Sequence, residues 1–200
     1  TLKPYFYPVS TVTLDAKGFE ILGVFMVDAK NNTTPLEYLY SDLQHLNIEL
    51  GKELKRNQEI TLFVNYVAKP NELPNSGGDF YDPTEPIKED KGLYFINPTF
   101  EDKEKPRQIW TQGETESASC WFPTFDSPNE RMTQEIIMTV DTQYVTLSNG
   151  KLIASKVNRD GTRTDHWKQN LAHAPYLAMM AVGEFAVVKD KWRNIEVNYY

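Results

Sequence analysis

What most constrains this chain is its punctuation. Short runs of β-branched, aromatic and alternating apolar residues are each closed by turn formers. Val9–Leu14 and Phe19–Val27 flank Asp15-Ala16-Lys17-Gly18, a hairpin or turn signal. Ile60–Val67, Glu135–Val140, Tyr144–Leu147, Leu152–Ala154, Gly183–Val188 and Ile195–Tyr200 repeat the pattern. Ser148-Asn149-Gly150 and Asn158-Arg159-Asp160-Gly161 mark tight turns between further strands. Alternation at period two buries one face of a sheet, and no segment carries the longer period of an amphipathic helix. The best helical candidate, Leu36–Leu43, is short and Tyr-rich. Many short strands at this spacing predict an all-β fold, either a sandwich or a twisted multi-sheet domain.

Two hundred residues, of which 40% are hydrophobic and 12% aromatic, suffice for one sizeable core. The length fits one ordinary domain or two very small ones, and residues 1–200 are read as a single domain. Residues 69–91 differ from the rest: four prolines, two glycines and many acids predict a long surface loop. A second polar stretch spans 97–107, and between them Gly92–Ile96 reads as a short apolar strand.

The net charge of −7 disfavours nucleic-acid and anionic-membrane partners but suits a cationic ligand. Cys120 is the only cysteine, so no internal disulfide forms. No run of 18 apolar residues exists to span a membrane. The chain opens at Thr1 and closes on strand-like Ile195–Tyr200, so it reads as part of a longer protein. The compartment stays open between cytoplasmic and periplasmic or secreted.

The most informative stretch runs from Thr111 to Pro128, TQGETESASCWFPTFDSP. It resembles the signature of the amino-terminal domain of aminopeptidase N-type zinc peptidases, the gluzincins. Gln112, Glu114, Ala118, Phe122, Pro123, Asp126 and Pro128 all fall on that family's spacing without a gap. Gly92-Leu93-Tyr94 is similar to the family's Gly-hydrophobic-Tyr, and Ala174–Phe185 resembles its late strand pair ending in Val-Gly-Glu-Phe. Two positions depart from the pattern: Ser119 stands where the family has Arg, and Thr124 where it has Cys.

The resemblance implies an all-β, multi-sheet twisted β-sandwich of saddle-like form, and it implies roles for two residues. Glu114 would accept the α-ammonium of a peptide substrate, and Gln112 would line the pocket for the first side chain. A carboxylate in a partly desolvated cleft makes short charge-assisted hydrogen bonds to an ammonium, which separates a free amino terminus from a mid-chain amide. The family's zinc sits on a His-Glu-x-x-His helix. The three histidines here, His45, His166 and His173, form no such motif. The resemblance thus implies zinc in the parent enzyme, none bound by this chain, no catalytic residue within it, and a catalytic domain of the same protein as its partner.

Blander readings apply elsewhere. Phe122-Pro123 and Asp126-Ser127-Pro128 read as turn and packing residues, with Asp126 capping backbone donors. Cys120 reads as a small buried hydrophobe. The acid pairs Asp82/Glu85 and Glu101/Asp102 read as solvated, and Glu116 as surface. The alternative function is a stand-alone β-sandwich module that binds carbohydrate through Trp110, Trp121, Trp167 and Trp192, or binds protein.

Overall fold

A computed structural model describes residues 1–70 and 91–200. The expected loop over 69–91 and the pair Asp82/Glu85 therefore lie almost wholly outside the described residues. The described chain is all-β: every sheet is antiparallel, and the only helical pieces are short 3₁₀ turns such as Ala118–Cys120 and Pro175–Leu177. It divides into two compact units.

The first unit comprises residues 1–93, 112–130 and 174–177. It holds β1 (Val9–Asp15), β2 (Phe19–Val27), β3 (Thr33–Pro35), β4 (Tyr38–Leu39), β5 (His45–Leu54) and β6 (Thr61–Ala68). Two three-stranded sheets form, in the orders β1-β5-β4 and β3-β2-β6. Val12 and Leu14 of β1 alternate inward, as do Leu46, Ile48 and Leu50 of β5, and all are buried with Phe19, Val24, Leu54 and Ile60. Each such side chain contributes about 1.5–3 kcal/mol by leaving water. Phe19 stacks on Tyr66 at 4.8 Å between ring centroids. The Tyr-rich stretch around Leu36–Leu43 is short strand and loop, not helix.

The second unit comprises residues 94–111, 131–173 and 178–200. Its strands are β7 (Leu93–Ile96), β8 (Gln108–Thr111), β9 (Met132–Asp141), β10 (Val145–Ser148), β11 (Lys151–Val157), β12 (Thr162–His173), β13 (Met180–Gly183), β14 (Val188–Trp192) and β15 (Ile195–Tyr199). They form sheets β10-β13-β8-β7 and β11-β12-β9, and a separate β14-β15 hairpin. Met138, Trp167 and Val182 make the core, with Ile109, Ile136, Val140, Leu147 and Met180 against them. A buried polar cluster sits beside it. Asp165, 2% exposed, accepts from Arg163 Nε and Nη2, Ser155 Oγ and Thr146 Oγ1, and Trp167 Nε1 donates to Thr146. Burial pushes the Asp165 carboxyl up, but the bonds from Arg163, Ser155 and Thr146 outweigh it and hold the group below the usual range.

One expectation changes and two are narrowed. Asp15–Gly18 is a turn but not a hairpin, because β1 pairs with β5 and β2 with β3 and β6. Its amides donate to Gln44, Ser119 and Leu43 carbonyls instead of across the turn. Ser148–Gly150 separates β10 from β11, as its Asn-Gly pair predicts, and the two strands belong to different sheets. The run Gly183–Val188 is broken: β13 ends at Gly183, where the missing side chain leaves room for the Phe185 ring to fold back.

Candidate functional site

Gln112 and Glu114 both belong to the first unit and follow the end of β8. They sit on a short irregular segment that leads into the 3₁₀ turn Ala118–Cys120, not on the strand itself. Both side chains are exposed, and Gly113 between them is buried. The Gln112 amide donates to the Gly92 carbonyl at 2.9 Å. The Gly113 carbonyl accepts from the Ser117 amide at 2.9 Å, so Glu114, Thr115 and Glu116 are looped out between two fixed points. The Glu114–Thr115 peptide bond is cis. The Glu114 carboxylate has no hydrogen-bond or ion-pair partner among the described residues.

Two glycines make this path possible. A Cβ on Gly113 would lie 2.5 Å from the Tyr176 carbonyl oxygen, so only glycine lets the two backbones approach. Gly92 has φ +64°, and a Cβ there would meet the Ser117 carbonyl oxygen at 2.1 Å. The Gly92 of the Gly-Leu-Tyr motif is thus required by the same loop that Gln112 opens.

The far side of the loop is equally tied. Lys17 Nζ donates to the Glu116 carbonyl at 2.6 Å, and the Lys17 amide donates to the Ser119 carbonyl at 2.8 Å. Asp126 is buried, and its Oδ2 accepts from the Ser119 amide at 2.8 Å, the capping role expected of it. The Asp126 amide donates in turn to Asp15 Oδ2, while Asp15 and Thr124 exchange both backbone hydrogen bonds. Tyr66 Oη donates to the Trp121 carbonyl at 2.9 Å, and burial pushes the phenol up to about 12, so it stays protonated. Cys120 is buried, and Trp121 meets Phe122 edge to face at 4.5 Å. Glu116 is exposed. Sequence reasoning did not find Lys17 or Tyr176, which reach the loop from distant parts of the chain.

The described residues do not fit a zinc centre. His45 faces Asp42, His166 faces Glu135, and His173 faces Gln134, each within 2.9 Å. No group of three or more His, Cys, Asp or Glu side chains converges among the described residues. No helix among them is long and apolar enough to cross a membrane. Trp121 and Trp167 are buried, and Trp110 stacks on Tyr94 at 4.5 Å, so the four tryptophans do not form one exposed platform.

Comparison with known proteins gives a coherent result. A Tyr-Ser-Ala-bound structure of an M1 zinc metallopeptidase from Deinococcus radiodurans superposes with a TM-score of 0.68 at 16% identity, over 96% of this chain and 39% of that one. The fold is shared. Aminopeptidase M1 of Arabidopsis thaliana is 31% identical over 116 residues, 57% of this chain and 13% of that protein. Transcription initiation factor TFIID subunit 2 of Gallus gallus is 30% identical over 112 residues, 54% of this chain and 10% of that protein. The chain thus matches only a small part of the length of these relatives. The model of the Peptidase M1 N-terminal domain matches residues 5–177, and the chain belongs to that family.

Proposed function

We propose that residues 1–200 act as the amino-terminal, substrate-anchoring domain of a zinc-dependent aminopeptidase, with Glu114 as the acceptor for the substrate α-ammonium. Gln112 shapes the first side-chain pocket. The zinc and the bond-breaking groups belong to a catalytic domain of the same parent protein, and this chain alone is inactive. The observation that carries the reading is the Glu114 carboxylate: exposed, unpartnered among the described residues, and set on a loop fixed at both ends. A carboxylate without an internal partner retains its full capacity for a cationic ligand. Glu114→Ala in the full-length parent is expected to remove most aminopeptidase turnover while leaving zinc content intact. Normal kinetics in that variant would sink the assignment.

A second reading has its own support. The similarity to a transcription initiation factor subunit extends over more than half of this chain. The same domain would then serve as a protein-binding module in an assembly, with no peptide hydrolysed. Metal analysis of the full-length parent separates the two. Stoichiometric zinc with peptide turnover supports the aminopeptidase, and neither favours the assembly module.

A further inference from the structure

We propose that Lys17 is a positioning residue for Glu114, acting through the backbone of the loop that carries it. This rests on the reading of Glu114 as the substrate anchor. Glu114, Thr115 and Glu116 bulge from a turn closed by the Gly113 carbonyl and the Ser117 amide. Among the described residues, one hydrogen bond ties these three to another part of the unit, from Lys17 Nζ to the Glu116 carbonyl at 2.6 Å. A bulge with free side chains and one external tie takes its orientation from that tie.

Lys17 is suited to this because its own backbone is braced. Its amide donates to Ser119, Ala16 and Gly18 amides donate to Gln44 and Leu43, and the Ala16 carbonyl accepts from Tyr40 Oη at 2.6 Å. Ala16 is fully buried. The ammonium therefore reaches the loop from a rigid turn. It bonds a carbonyl and makes no ion pair among the described residues, so Glu114 is left free for a ligand. A rigid support behind a binding carboxylate is what accurate orientation needs.

The test uses the full-length parent. The readout is the ratio of inhibition constants for a free-amine peptide analogue and its N-acetylated counterpart, in wild type, Lys17→Met, Lys17→Arg and Glu114→Gln. We expect Lys17→Met to shrink this preference about tenfold, a loss on the scale of sub-ångström misplacement. Lys17→Arg restores most of it, and Lys17→Met adds nothing on the Glu114→Gln background. Faster exchange of the Ser117 amide, which closes the loop on the Gly113 carbonyl, in Lys17→Met, with exchange in β1 and β5 unchanged, supports the same account without relying on activity. If Glu114→Gln abolishes the preference while Lys17→Met keeps it, or if exchange of the Ser117 amide does not change, Lys17 is not the positioning residue and the anchor stands. An undiminished Lys17→Met effect without the Glu114 carboxylate also overturns the proposal. If Glu114→Gln itself has no effect, the anchor reading fails first and this one falls with it.

Discussion

Gly113→Ala probes how closely the anchoring loop is built against its neighbour. A Cβ at this position lies 2.5 Å from the Tyr176 carbonyl oxygen and 3.0 Å from both its carbon and Cα, whereas ordinary contact begins at 3.4 Å. All three are backbone atoms, so no rotamer change relieves the clash. Gly113 does not need a left-handed φ, so the effect is steric alone. Either Tyr176 or the Gln112–Glu114 segment must move by roughly an ångström in a close-packed setting. Overpacking of this kind costs about 1–3 kcal/mol. For a chain of this size each kcal/mol lowers Tm by about 2–4 °C, so thermal denaturation followed by circular dichroism should fall by about 2–12 °C. In the full-length parent, kcat/KM should drop by up to about 100-fold from loop misplacement. A Tm within about 1 °C of wild type would refute the close approach and, with it, the reason for glycine at the centre of the motif.

Other outcomes follow from the same structure. Asp165→Ala leaves the Arg163 guanidinium without its buried partner and should cost about 3–5 kcal/mol, read by urea unfolding. Because the Asp165 carboxyl is depressed on folding, its stabilisation is complete above the ordinary value near 3.8 and is lost as pH falls through the lower folded value. Wild type should therefore lose stability relative to Asp165→Asn when pH drops below about 4, and parallel curves would contradict this. Asp126→Ala removes the buried acceptor for the Ser119 amide and should cost about 1–3 kcal/mol by the same assay. The 200-residue chain itself should retain no zinc after dialysis, since its histidines face Asp42, Glu135 and Gln134, and one equivalent surviving would count against that.

Much of the fold is legible in sequence because alternation is a strictly local signal. Val12 and Leu14, or Ile136, Met138 and Val140, announce a strand with one buried face. Partnership between strands is not legible: the Asp15–Gly18 turn has hairpin composition, yet its donors serve Gln44, Ser119 and Leu43. The twelve-residue β12 is hard to read because its inward face carries Arg163 and Asp165 beside Trp167. A paired buried charge breaks the apolar rhythm that would mark the strand. At the candidate site, Gln112 and Glu114 emerge from motif spacing, and Asp126 as a cap from residue chemistry. The supports do not, since Lys17 reaches Glu116 across 99 positions and Tyr176 meets Gly113 through backbone atoms alone.

The central claim is that Glu114 distinguishes a charged amino terminus from a neutral one. The direct test is binding of a free-amine peptide analogue and its N-acetylated counterpart to the full-length parent and to Glu114→Gln. A hydrogen bond between charged groups is worth about 1.5–3 kcal/mol, so the wild-type preference for the free amine should be about 10–100-fold. It should collapse to near unity in Glu114→Gln. The same preference in both proteins would contradict the account.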